Sequence, residues 1–337
     1  MRILVTGGAG YIGTHTLLEL LGERHEVCVL DNYANSSPEA LARVRQLSNA
    51  GFTEISADMR DQSALHAAFR GFKPEGVIHF AGLKAVGESG QKPVMYYDHN
   101  IQGTLALLKM MDAHGCRQIV FSSSATVYGV PHYLPFDEAH PCAPTNPYGR
   151  TKYFVEEIIR DWSAATPEAS AVLLRYFNPV GAHASGRIGE DPNDMPNNLM
   201  PFVAQVAVGR RDRLQVFGND YDTSDGTGLR DYIHVSDLAR AHVAALAYGA
   251  KNTGVEAINI GTGRGATVLE VVKAFEAASG RSIPYAFAAR RAGDVAASLA
   301  DPAKAKALLG WKAHHSLADM CASTWHWQSN NPQGYGG

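Results

Sequence analysis

Along the first half of the chain, short apolar runs alternate with longer stretches of helical periodicity. Residues 3–5 read as a strand and 14–21 as a helix. A second strand covers 27–30, and helical spacing returns over 38–47. Further strands are predicted at 53–56, 77–80, 118–121 and 171–176, with helices between them. This alternation implies right-handed βαβ units and a parallel sheet covered on both faces. The expected fold class is therefore α/β: a Rossmann-type, doubly wound parallel sheet with a smaller mixed α/β lobe. Residues 1–176 and 232–260 are assigned to the sheet domain, and 177–231 and 261–337 to the smaller lobe. In such a sheet ligands gather at the carboxyl ends of the strands, so the residues that follow each strand carry the chemistry.

The segment Thr6-Gly-Gly-Ala-Gly-Tyr-Ile-Gly13 follows the first strand and opens a helix. Gly7, Gly10 and Gly13 permit a tight turn, close approach of a pyrophosphate, and close packing of helix on strand. The spacing is G-x-x-G-x-x-G rather than the commoner G-x-G-x-x-G. The second strand ends at Asp31, whose carboxylate can hydrogen-bond both ribose hydroxyls. It would repel a 2′-phosphate, which favours NAD over NADP. Asp58, after strand three, either reaches an adenine edge or is a helix N-cap or turn aspartate. After strand four, small Ala81 and Gly82 let the backbone lie against a cofactor. Lys84 either reaches a phosphate or ribose hydroxyl or is a surface lysine.

Strand five runs into Ser122-Ser-Ser124, which places the Ser124 hydroxyl in the crevice. Asn146 is a good N-cap and Pro147 fits the first helical position. Tyr148 and Lys152, four apart, then leave one face of that helix. A tyrosine, with an ordinary pKa of about 10, must fall to about 7 to act as a base at neutral pH. That is roughly 4 kcal/mol in favour of the phenolate. A neighbouring ammonium, the helix dipole and a cationic cofactor are the available sources.

Composition narrows the picture further. An apolar fraction of 45% and a charged fraction of 19% in 337 residues describe an ordinary globular protein. A net charge of −3 gives no basic footprint for nucleic acid or acidic membranes. No apolar run approaches the roughly 18 residues of a membrane-spanning helix. The four cysteines lie far apart with no C-x-x-C pair. That argues against a disulfide framework or zinc site and suits a reducing compartment, so a cytoplasmic location is expected. The dispersed histidines suggest no metal site.

With these residues in place, the chain resembles the extended short-chain dehydrogenase/reductases and, within them, the UDP-glucose 4-epimerases. The broad motifs are the glycine turn, the Ser124/Tyr148/Lys152 set and Asn100 in N-x-x-G-T. The narrow ones are His79-Phe-Ala-Gly-Leu-Lys-Ala-Val-Gly-Glu88, Arg175-Tyr-Phe-Asn-Pro-Val-Gly181, Asn197-Asn-Leu-Met-Pro201, Arg230-Asp-Tyr-Ile-His234 and Arg290-Arg-Ala-Gly-Asp294. The resemblance implies interconversion of UDP-glucose and UDP-galactose through a transient 4-keto sugar with bound NAD. Tyr148, as phenolate, would take the 4′-hydroxyl proton with help from Ser124, and Lys152 would hold the nicotinamide ribose and lower the tyrosine pKa. It extends the cofactor site to Tyr11, Ile12, Asn32, Asn35, Ser36, Met59, Phe80, Ser122, Tyr176 and Phe177.

The second lobe suits a sugar nucleotide on its own chemistry. Arg230 and Arg291 can engage a diphosphate bidentately, and Phe217 and Asn198 offer a slot and a polar edge for uracil. The resemblance adds Asn178, Leu199, Gln215, Val216, Asp294 and Ser298 to the substrate site. It also implies a homodimer through two helices of the cofactor domain, one of them the Tyr148 helix.

Two positions depart from relatives. His99 stands where some carry asparagine, and no role is assigned to it. Ser298 stands where relatives restricted to the plain sugars can carry tyrosine, which implies room for the acetamido group of UDP-GlcNAc and UDP-GalNAc. A sugar-nucleotide 4,6-dehydratase would need an acid/base pair directly after Ser124, where this chain has Ala125 and Thr126. A net oxidoreductase that releases reduced cofactor stays open on sequence alone. A non-catalytic NAD-binding protein of this fold would be expected to lack Tyr148 or Lys152.

Overall fold

The computed structural model describes residues 1–193, 196, 198–291 and 293–336; Asn197 and Ala292 of the motifs above lie outside the described residues. The strands are β1 (Arg2–Thr6), β2 (Glu26–Asp31), β3 (Thr53–Ser56), β4 (Gly76–His79), β5 (Gln118–Ser122), β6 (Ser170–Tyr176), β7 (Asn178–Val180), β8 (Leu214–Phe217), β9 (Leu229–His234), β10 (Gly254–Ile260), β11 (Gly265–Thr267), β12 (Tyr285–Ala288) and β13 (Ala297–Ser298). Between β1 and β6 run α1 (Tyr11–Gly22), α2 (Pro38–Ser48), α3 (Gln62–Phe72), α4 (Val86–Gln91), α5 (Pro93–Tyr97), α6 (Gly103–Ala113) and α7 (Pro147–Ala165). The remaining helices are α8 (Leu199–Ala207), α9 (Val235–Gly249), α10 (Val268–Ser279), α11 (Ala303–Leu309) and α12 (Leu317–Asn330).

A seven-stranded sheet runs in the order β10-β6-β5-β4-β1-β2-β3, and every pairing in it is parallel. The fold class is the expected one. Successive side chains of a strand face opposite ways, and here both ways are apolar. Ile3, Val5, Val27 and Val29 enter one core with Leu17, Leu20, Leu238 and Leu246 of α1 and α9. Leu4, Cys28 and Leu30 enter the other, with Phe69, Leu107 and Ile159 of α3, α6 and α7. Helices on both faces explain why these strands read as continuous apolar runs rather than as an alternation. The strand order reverses between β1 and β4, where the chain returns from β3, and that point opens the ligand crevice of such sheets.

The last strand of the sheet, β10, arrives after a long excursion. In that excursion and beyond it, β9 is flanked by β7, β11 and β13, and β8 pairs with β12. Val203 of α8, Val271 and Phe275 of α10 and Met320 of α12 pack over them. The division placed at residue 232 falls inside β9, whose pairings all belong to the smaller lobe. The return to the large sheet therefore begins with α9.

Candidate active site

The glycine turn is shaped by close approach. Gly7 has φ +70°, and a Cβ there would lie 2.7 Å from the Ala81 nitrogen; one on Gly13 would lie 2.6 Å from the Gly7 carbonyl oxygen. The α1 N-cap, Gly10, carries no capping side chain, and Thr14 N–H is bonded to the Gly10 carbonyl at 2.9 Å. The N–H groups of the first turn, from Tyr11 to Gly13, have no partner within the helix and are offered to an anion. The Asp31 carboxylate stands at this turn, accepting Ala9 N–H at 2.9 Å, Tyr33 N–H at 2.9 Å and the Ser36 hydroxyl at 3.0 Å. These residues fit the pyrophosphate and ribose of a dinucleotide.

Asp58 accepts from Arg60 Nε at 2.9 Å and from Asn32 Nδ2 at 3.1 Å. Hydrogen bonds from Arg60 hold its carboxyl well below the usual range. Met59 buries its side chain in the sheet core. Asn35 and Ser36 each take a hydrogen bond from Asn193, at 2.9 and 3.2 Å, across to the chain beyond β7. Asn100 binds both backbone groups of Leu83, N–H at 2.8 Å and carbonyl at 3.1 Å, and donates to Thr151 Oγ1 at 2.9 Å. It thereby fastens the loop carrying Ala81, Gly82 and Lys84 to α7. Lys84 pairs with Glu190 at 3.2 Å.

The end of β5 meets the start of α7. Asn146 caps α7 by accepting Gly149 N–H at 2.8 Å, with Pro147 in the first turn, as its sequence requires. Lys152 Nζ donates to the Ser122 carbonyl at 2.7 Å and lies 6.0 Å from the centre of the Tyr148 ring. The Ser124 hydroxyl accepts Thr126 N–H at 3.2 Å and Thr126 Oγ1 at 2.9 Å. Its own proton is left to donate elsewhere, and a hydrogen bond from Ser124 favours the Tyr148 phenolate.

The expected lowering of the Tyr148 pKa is not supplied by the protein alone. Burial dominates and pushes the phenol well above its ordinary value, with the neighbouring Tyr176 adding to the rise. Burial likewise pulls Lys152 down to about 8, against the pull of the Glu156 carboxylate. Of the three sources expected from the sequence, the cationic cofactor is thus the one the polypeptide leaves to be added.

The smaller lobe gathers several predicted residues. The Arg291 guanidinium lies 4.9 Å from the centre of the Phe217 ring and pairs with Asp294 at 2.9 Å. Arg230 pairs in register with Ser298 across β9 and β13, and its Nη1 donates to the Leu229 carbonyl at 2.8 Å. On β8, Gln215 is exposed while Val216 is buried in the lobe core, so Val216 offers a ligand only its backbone. Asn178 opens β7, and Phe177, just before it, is buried. Asn198 precedes α8 with Leu199 as its first residue, and the Asn198 amide donates to Glu190 at 3.1 Å.

Glu190, which holds Lys84 and Asn198 together, was not singled out by the sequence, nor was Glu156. A lone acid in a loop carries no signal. Glu156 carried one, its position one turn beyond Lys152.

The fold, the glycine turn and the tyrosine–lysine helix define an NAD-linked enzyme of the short-chain type. The profile of the NAD dependent epimerase/dehydratase family matches residues 3–261, and the chain belongs to that family. It is 58% identical over 335 residues to the UDP-glucose 4-epimerase of Bacillus subtilis (strain 168), covering 99% of each chain. It is 56% identical to the UDP-glucose 4-epimerase of Homo sapiens, covering 99% of this chain and 98% of that one. Among solved structures, the UDP-glucose 4-epimerase from Bifidobacterium longum in complex with NAD+ and UDP superposes with a TM-score of 0.96 at 54% identity. That match covers 99% of this chain and 100% of the other.

Proposed function

We infer that the protein interconverts UDP-glucose and UDP-galactose by inverting C4 of the hexose, with NAD bound throughout and restored in every turnover. The observation that carries this reading is the meeting of Ser124, Tyr148 and Lys152 at the carboxyl end of the sheet. Near-full-length similarity to UDP-glucose 4-epimerases supports it.

C4 bears no acidic proton, so the centre cannot be inverted by simple deprotonation. When bound, NAD supplies a hydride acceptor that returns the hydride to the other face of the sugar. The polypeptide does the rest. The Gly7–Gly13 turn and Asp31 hold the dinucleotide, with Asn32, Asn35, Ser36, Met59, Phe80, Ala81 and Gly82 along its length. Lys152, fixed on the Ser122 carbonyl, engages the nicotinamide ribose. Tyr148 exchanges a proton with the 4′-hydroxyl, and the Ser124 hydrogen bond supports its phenolate. Burial opposes that phenolate, and a cationic cofactor held beside Tyr148 would favour it. Arg230 and Arg291 hold the diphosphate, and Phe217 and Asn198 hold the uracil, so the hexose can turn while UDP stays in place.

The short Ser298 side chain beside Arg230 supports a wider substrate range that includes UDP-GlcNAc and UDP-GalNAc. Four cysteines without a disulfide are in keeping with the cytoplasm. No helix among the described residues is long and apolar enough to cross a membrane. The exposed Leu105 of α6 and Phe154 of α7 support a homodimer through the cofactor domain.

The test is to add UDP-galactose to the purified protein without supplying NAD, reading reduced nicotinamide by absorbance and the product sugar separately. UDP-glucose formed without stoichiometric reduced cofactor is the expected result. Reduction of the bound equivalent alone, with product formed further only when NAD is fed continually, would make the protein a net dehydrogenase and overturn the reading.

A further inference from the structure

Positions 148, 152 and 156 lie on successive turns of one face of α7. The first two serve the cleft. The third is turned into the protein: Glu156 is fully buried, a location that is costly for a carboxylate unless it is paired. Its partners are ample. Arg175 of β6, itself buried, reaches it with Nε at 3.0 Å and Nη2 at 2.6 Å, and the Ser123 hydroxyl donates to it at 2.5 Å. Arg175 continues through Nη1 to the Tyr128 hydroxyl at 3.2 Å, which donates to Asn259 of β10 at 2.6 Å.

We propose that Glu156 is a positioning residue for the Tyr148–Lys152 couple, locking the rotation of α7 against the ends of β5 and β6 and setting a negative charge one turn behind the Lys152 ammonium. The inference rests on the epimerase reading of Tyr148 and Lys152 and deepens it. Three consecutive serines read three consecutive turns of the helix. The Ser122 carbonyl takes Lys152, the Ser123 hydroxyl holds Glu156, and Ser124 faces Tyr148. An apolar residue at 156 would pack α7 on the sheet without fixing its rotation, whereas a carboxylate with directed donors from β6 and from the residue after β5 fixes it.

The charge acts on the same pair. The titratable and charged groups around Lys152 are Tyr148 and Glu156 on its own helix, with Arg160 beyond them. His79 of β4 and His242 of α9 also act on Lys152, Tyr176 of β6 and Tyr96 of α5 act on Tyr148, and Arg175 of β6 pairs with Glu156. His79 and His242 are kept neutral by burial, which lowers them to about 3 and about 4. Glu156 opposes the effect of burial on Lys152 and favours its ammonium form.

The test compares Ser123→Ala, Glu156→Gln and Glu156→Asp with wild type, all carrying NAD, by kcat and KM for UDP-galactose across pH and by thermal melting. Ser123→Ala removes one hydrogen bond and leaves the ion pair; it is expected to lose about tenfold in kcat with KM unchanged, because α7 is no longer held in register. In Glu156→Gln the alkaline limb of kcat moves to lower pH, since the Lys152 ammonium loses its supporting charge, and Glu156→Asp returns the limb towards wild type. A structural role alone would lower the melting temperature and leave the limb where it was. Glu156→Gln strands a buried guanidinium; should it fail to fold, Ser123→Ala decides. A folded Ser123→Ala with wild-type kcat, or a folded Glu156→Gln with an unmoved limb, overturns the proposal. Absence of interconversion in the wild type would overturn the epimerase reading instead.

Discussion

The Lys152 ammonium donates to the Ser122 carbonyl and stands 6.0 Å from the centre of the Tyr148 ring, so lysine and tyrosine share a site without bonding to each other. Tyr148→Phe removes the proton acceptor and leaves the ring in its place. Its kcat for UDP-galactose is expected to fall by about 10²–10⁴, the range for loss of general acid–base catalysis. NAD content and KM should stay near wild type. Retention of more than about a tenth of wild-type kcat would remove Tyr148 from the chemistry.

Four buried histidines make the fold sensitive to mild acid. Burial lowers His15 and His79 to about 3, and His234 and His242 to about 4. The unfolded chain, with histidine near 6.5, therefore binds more protons than the native one as pH falls below about 6.5. Stability is fully present above that value and is lost progressively on the way down to the folded pKa values. Each group contributes up to roughly 1.4 kcal/mol per pH unit in that window. Denaturant unfolding between pH 7 and 5 should show this slope, and His242→Leu should reduce it by one group's share. An unchanged slope in that variant would contradict the assignment.

Gly7 combines a positive φ with close backbone approach to Ala81, in the loop that follows β4, the strand paired beside β1. Gly7→Ala should displace the loop after β4 from the glycine turn. Purified Gly7→Ala is expected to carry less than about a tenth of the wild-type NAD, measured after denaturing release. Full occupancy would mean that the turn can yield.

Ser298→Tyr should narrow the substrate range. Turnover of UDP-GlcNAc should fall at least about tenfold while UDP-galactose turnover stays within a few-fold, because a bulky ring fills the space of the acetamido group. Equal loss for both sugars, or no loss for either, would place the specificity elsewhere.

The sheet was legible because parallel strands buried on both sides leave a plain trace, and the glycine turn, Asp31 and the capped Tyr148 helix are local features with local causes. What escaped was long-range. Glu190 meets Lys84 from 106 residues away, and Arg175 meets Glu156 through two elements whose contact no periodicity describes. The rise that burial imposes on Tyr148 was not legible for a related reason: charge and dipole could be counted along the helix, whereas burial depends on everything packed around it. Val216 likewise sat in a plausible substrate segment, and only the pleat of β8 turned its side chain into the core.

The β6–β10 pairing joins Ser170 to Gly254 and Tyr176 to Ile260. During synthesis, β6 emerges well before the strand that covers its free edge, and the intervening residues begin another lobe first. The first domain therefore cannot be sealed as it leaves the ribosome, and a chain interrupted near residue 176 would present an uncovered, apolar strand ready to pair with its neighbours. Completion of the sheet acts as a checkpoint on the whole polypeptide.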